Sequence, residues 1–175
     1  MTGRRGDRTC ERRALRLFLR SEGGSSAVEF GLIGMMFFLL IGMWIELGLM
    51  VFMQTTLDQA VRKESRMIRT GQITASQASV FKTALCNDIA ALMKCDNVQI
   101  NVVSGSSFAS LSNQVPTDAA SHMTTTGFSP GSSGSDVVVQ VGYTRPITFA
   151  LAAPFIGKNS AQLVYSSLAF QNEAF

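Results

Sequence analysis

Histidine is almost absent from this chain, and cysteine is scarce. The 175 residues contain one histidine, His122, and three cysteines. A metal site built on imidazole would have a single ring to draw on, and Cys86 and Cys95 lack the C-x-x-C spacing of redox catalysts. The glycine-rich stretch at residues 131–136 lacks the lysine of a phosphate loop, and no Ser-His-Asp set is apparent. We therefore expect no enzymatic activity, no metal and no cofactor.

Charge is scarce beyond the first 24 residues. Residues 1–24 hold seven arginines against three acids, which leaves eight basic and nine acidic residues for the rest of the chain. A basic arm is typical of nucleic-acid binding, but it is also typical of the cytoplasmic flank of a membrane helix. Because an apolar run follows directly, we favour the second interpretation and expect no nucleic-acid partner.

A long apolar run occupies residues 30–53, and its only charge is Glu46. At about 1.5 Å of rise per residue, this run would form a helix of roughly 36 Å, which exceeds the membrane core of about 30 Å. The run is longer than the apolar core of a secretory signal, and no small-residue cleavage site follows it. The sequence therefore predicts a single membrane span, with the N-terminus in the cytoplasm and the chain beyond Met53 exported.

A glutamate stands at the start of this run. If the chain is cut after Gly24, Ser25 becomes the new N-terminus and Glu29 the fifth residue, followed by Phe30. This pattern resembles the processing site of type IV prepilins, and more closely that of the Tad (tight adherence, Flp) branch. The resemblance implies a prepilin peptidase as partner and a leader at residues 1–24. The alternative is an uncleaved, interfacial glutamate favoured by the helix dipole.

The pattern also has a physical rationale. A free ammonium on Ser25 and the carboxylate of Glu29 can neutralise each other, within one chain or between neighbours, in a helix bundle of low dielectric constant. Before cleavage that ammonium does not exist.

The resemblance extends to about residue 70 and is closest to the TadE-like family of pseudopilins. Its further positions are an acidic residue late in the helix, an alanine in the amphipathic stretch and a terminal arginine: Glu46, Ala60, and Arg66 or Arg69. The family implies other Tad pilins and pseudopilins, an inner-membrane assembly platform and membrane lipid as partners. Glu46 lies about 25 Å along the helix from Glu29, towards the outer leaflet. It either snorkels to the interface or contacts an assembly partner, and we leave both possibilities open.

Two helices are predicted. The first runs from about residue 26 to 70 and is capped by Gly71. The second runs over residues 75–93, with a capping box at its start. Two cysteines in an oxidising compartment most often pair, so we expect a disulfide between Cys86 and Cys95. The Cα atoms of two bonded cysteines must lie within about 7 Å of each other, so the second helix must end before Cys95.

Strands are expected where apolar residues alternate, at residues 98–102 and 137–143, and a final strand at 162–171. Residues 104–135 read as a mobile Ser/Gly-rich surface loop. The apolar stretch 147–156 is too short to span a membrane, and is either buried against the long helix, which we favour, or a surface for partners.

These elements predict an α+β, pilin-like fold. A long transmembrane helix (residues 25–70) continues into an exported domain (residues 71–175) with a second helix and a small antiparallel sheet. The leading functional hypothesis is a minor pseudopilin of a Tad-type (Flp) pilus, acting in pilus biogenesis and adherence. The alternative is an uncleaved, membrane-anchored periplasmic binding protein.

Overall fold

The computed structural model describes residues 24–111, 117–118, 122–149 and 161–175. The predicted leader therefore lies outside the described residues, apart from Gly24. The chain divides into two compact units, residues 1–41 and residues 42–175. The described part of the first unit is helical, and most of its side chains are exposed.

The first helix, α1, spans Ser25–Arg69 and crosses from the first unit into the second. It is long and apolar enough to cross a membrane, which makes it a candidate membrane anchor. It ends as predicted, because Gly71 has a φ of 70°. The Gly71 N–H donates to the carbonyl of Ile68 at 3.0 Å, and the Gln72 N–H donates to that of Met67 at 2.9 Å. This pair of hydrogen bonds is a Schellman C-cap.

The second helix, α2, spans Ala78–Ile89 and follows a short 3-10 turn at Ala75–Gln77. The side chain of Gln77 accepts the Thr74 N–H at 2.9 Å, as expected for the acceptor half of a capping box. The helix ends before the predicted limit at Met93. The chain turns back instead, which brings the Cα atoms of Cys86 and Cys95 to 5.5 Å in a disulfide.

Within the described residues, the sheet has four strands in the order β2-β1-β3-β4. They span Val98–Gly105 (β1), Gly127–Phe128 (β2), Asp136–Pro146 (β3) and Ala161–Gln171 (β4). The three long strands pair antiparallel, as predicted. The two-residue β2 pairs parallel to β1, so the sheet is mixed at that edge. The predicted α+β fold is thus confirmed.

The core lies between one face of the sheet and the C-terminal half of α1 together with α2. Alternating residues of β3 point into it, which is the pattern that predicted the strand. The largest contributors are Leu57, Val61, Ile68, Phe81, Leu85, Ile89, Val102, Val137, Val139 and Val141, all 1% exposed or less.

The predicted loop at residues 104–135 contains more structure than expected in its described part. A 3-10 turn forms at Phe108–Ser110, and β2 lies within the segment. Met123 is buried, and its backbone exchanges two hydrogen bonds with the side chain of Gln99, at 3.1 and 2.8 Å. The predicted mobility of the segment stays a prediction.

Candidate functional site

The start of α1 carries the predicted processing site. Gly24 is exposed and immediately precedes Ser25, the first residue of the helix. Glu29 is exposed, and Phe30 is 79% exposed. Residues four apart on a helix lie on the same face, so the backbone nitrogen of Ser25 is one turn from Glu29. Cleavage at Gly24 itself stays a prediction.

Glu46 is placed very differently from Glu29. It is only 2% exposed, and it forms an ion pair with Arg145, which is 3% exposed. Its other carboxylate oxygen accepts the backbone N–H of Phe149 at 3.2 Å. Because both partners are polar groups of the same chain, the carboxylate is neutralised and hydrogen-bonded within the fold.

The ion pair belongs to a longer seam between α1 and the ends of β3 and β4. Gln162 donates to the sulfur of Met50 at 3.0 Å, and Arg145 approaches the sulfur of Met53 at 3.5 Å. Gln54, one turn beyond Met50, donates to the carbonyl of Tyr165 at 2.6 Å. The helix positions recur every three or four residues, so a single face of α1 docks on the sheet.

Comparison with known proteins matches the N-terminal part of the chain to a family. Residues 24–63 match the model of the TadE-like protein family. These residues form a TadE-like segment. The predicted resemblance to the TadE-like family is therefore confirmed over these residues, whereas Arg66 and Arg69 lie beyond the match. Neither a curated protein nor a solved structure matches the chain.

The TadE-like segment contains both glutamates, Glu29 and Glu46, whereas the partner of Glu46 lies outside it. The two predicted roles of Glu46, snorkelling to the interface and contact with an assembly partner, stay predictions. Within its own chain, the carboxylate pairs with Arg145.

Sequence reasoning missed Arg145, although a signal was present. Glu46 is the only charge in residues 30–53, and Arg145 is the only charge in residues 137–156. Two isolated charges of opposite sign, each in an apolar stretch, favour each other as partners because neither has another nearby counter-ion.

The remaining candidate residues lie away from the TadE-like segment. The predicted pairing of Cys86 with Cys95 is present in the structure. His122 is exposed and lies 3.3 Å from the carboxylate of Asp118, on the wall of an open cavity of about 790 Å³. Within the described residues, no group of three or more histidine, cysteine or acidic side chains could hold a metal ion.

Proposed function

We propose that the protein is a minor pseudopilin of a Tad-type (Flp) pilus, acting in pilus biogenesis and adherence. The family match supports involvement in the Tad pilus system, and the proposed precursor is cleaved after Gly24 by a prepilin peptidase. The observation that carries the proposal is that three features coincide at the start of α1. The family match begins at Gly24, α1 begins at Ser25, and the glutamate of the motif lies one turn into that helix.

The exposed surface of α1 fits this role. Large apolar side chains cover the helix from Val28 to Phe52, and Val28, Phe30, Ile33 and Phe38 are each more than 60% exposed. In the inner membrane such a surface contacts lipid, and in an assembled pilus it packs against the helices of other Tad pilins and pseudopilins. The inner-membrane assembly platform would receive the cleaved form, with the C-terminal domain in the periplasm. We propose no enzymatic role.

Cleavage would change the electrostatics of the helix start. It creates an ammonium group on Ser25 close to the carboxylate of Glu29, and it removes the basic leader. In a helix bundle of low dielectric constant, that ammonium can neutralise Glu29 of the same chain or of a neighbour. Processing would thereby favour insertion of the helix start into an assembly.

The test is the N-terminus of the full chain, isolated from membranes of cells that contain an active prepilin peptidase. Intact-mass measurement and N-terminal sequencing should give a start at Ser25. Gly24→Val should leave the chain uncut. Gly31→Val is the matched control, because a side chain added at either glycine meets no atom within 4 Å.

A start at Met1 in the presence of active peptidase would refute the proposal and favour an uncleaved, membrane-anchored periplasmic binding protein. Cleavage of Gly24→Val to the same extent as the unmodified chain would also refute it, because the cut would then be made by another protease.

A further inference from the structure

The chain leaving β3 runs along α1 towards its apolar half. Arg145 reaches Met53 and Glu46, and the next contact, made by Phe149, lies a further turn towards the N-terminus. There the Phe149 ring covers Gly42 so closely that a Cβ on Gly42 would lie 2.6 to 2.9 Å from three ring atoms. The connection after β3 therefore begins beside α1 at the level of Gly42.

The depth of Gly42 in the membrane follows from the number of helix residues needed to cross the hydrocarbon core. A helix needs about 20 residues to cross the hydrocarbon core. The candidate span begins at Ser26, so the outer boundary of the core falls no earlier than about residue 45. If the span lies further along the apolar run, Gly42 lies deeper still. In each case Gly42, and Phe149 in contact with it, lie at hydrocarbon depth.

The chemistry of this connection suits lipid rather than water. Arg145 is the last charge before residues 147–156, a stretch with the sequence ITFALAAPFI. Pro146 has no backbone N–H to satisfy, and the Phe149 N–H donates to Glu46. Since an unsatisfied backbone group or charge is costly in hydrocarbon, both features lower the cost of inserting this part of the chain.

We propose that residues 146–149 form a second lipid-contacting element, which enters the outer leaflet beside α1. Its partner is the acyl region of the bilayer, and the ion pair of Glu46 with Arg145 neutralises the two charges nearest to it. This inference rests on the membrane anchoring in the proposed function but not on cleavage at Gly24.

The depth of this element can be measured by tryptophan fluorescence. The chain has a single tryptophan, Trp44, which is 77% exposed on α1. Three proteins are compared in phosphatidylcholine vesicles with brominated acyl chains. One is the unmodified full chain, whose only tryptophan is Trp44. The other two carry Trp44→Phe together with either Phe149→Trp or Thr148→Trp. Because all three positions should lie in the hydrocarbon core, we expect quenching at positions 148 and 149 within about twofold of that at Trp44.

Phe108→Trp in the same background is the matched control. Phe108 is 45% exposed, and its N–H donates to Asp136, at the opposite end of β3 from Pro146. At about 3.3 Å of rise per residue of β3, Asp136 and the Phe108 bonded to it lie roughly 33 Å from Pro146, where the proposed insertion begins. The tryptophan at position 108 should show no quenching by brominated lipid.

The outcomes separate this inference from the proposed function. Quenching at Trp44 but at neither position 148 nor position 149 overturns the second element and leaves the anchor intact. A blue-shifted but unquenched tryptophan at both positions overturns it as well, because protein rather than lipid then covers the site. Absence of quenching at Trp44 itself would refute membrane anchoring and the inference together.

Discussion

Replacing Arg145 by methionine should destabilise the domain strongly. Glu46 and Arg145 are nearly inaccessible, so the variant leaves a carboxylate buried without its counter-ion. Breaking a buried ion pair from one side typically costs about 3–5 kcal/mol. The hydrogen bond from Phe149 remains and offsets part of this loss.

The assay is thermal unfolding of the full chain in detergent, followed by circular dichroism of the sheet and by resistance to trypsin. For a chain of this length, 1 kcal/mol corresponds to about 2–4 °C, so Arg145→Met should lower the midpoint by roughly 6–20 °C. The double variant Glu46→Met, Arg145→Met should recover most of this loss. It removes both charges, and an apolar replacement of a buried ion pair is often neutral or stabilising.

The exposed ion pair of Arg69 with Glu173 provides the control. Its atoms lie 3.0 Å apart, and the two side chains are 46% and 54% exposed. Glu173→Gln should therefore change stability by less than about 1 kcal/mol. An Arg145→Met midpoint as close to the unmodified chain as that of Glu173→Gln would refute the reasoning. So would a double variant that is no more stable than Arg145→Met.

Three further variants test other parts of the domain. Cys86→Ser with Cys95→Ser should lower the free energy of unfolding by roughly 2–3 kcal/mol, and equal denaturation curves with and without reductant would contradict this. The hydrogen bond from Lys63 to Asp88, at 2.7 Å, lowers the pKa of Asp88 and raises that of Lys63. The pair therefore stabilises the fold between about pH 4 and pH 10. On the acid side this contribution is lost as the pH falls through the lowered pKa of Asp88. On the alkaline side it is lost as the pH rises through the raised pKa of Lys63. Asp88→Asn should flatten the acid-side decline of the thermal midpoint; an unchanged slope would contradict the assignment. Gly71→Ala, at a φ of 70°, should cost about 1–2 kcal/mol in the same assay, and an unchanged midpoint would show that the cap tolerates a side chain.

The elements that the sequence predicted well are those with a local cause. The valines at 137, 139 and 141 alternate because one face of β3 is buried, and they predicted the strand. The end of α2 was less predictable. Apolar residues continue at helical spacing to Leu92, but the helix ends at Ile89, since the chain must turn for Cys95 to reach Cys86. The two-residue β2 has no periodic signal, because its position depends on the edge of β1.

The same distinction applies to the candidate site. Gly24 and Glu29 are separated by a few residues, and their relation to the start of α1 follows from spacing on a helix. The surroundings of Glu46 depend on groups about a hundred residues away, such as the N–H of Phe149, which is 103 residues distant. Charge and isolation suggest the kind of partner, but the register of β3 against α1 selects Arg145. That register is set by packing of the whole sheet on the helix.

The two glutamates of α1 thus represent different solutions to one problem, a carboxylate in an apolar helix. Glu46 has its counter-ion on β3 of the same chain, so its neutralisation requires only that the exported domain folds against α1. Glu29 is exposed at the start of the helix, and in the proposed function its counter-ion is created by cleavage. If the chain is processed as proposed, the first arrangement is available before and after cleavage, whereas the second depends on it. A pseudopilin with this arrangement could fold and dock its domain on α1 while still uncut, and only the helix start would distinguish a chain that is ready to assemble from one that is not.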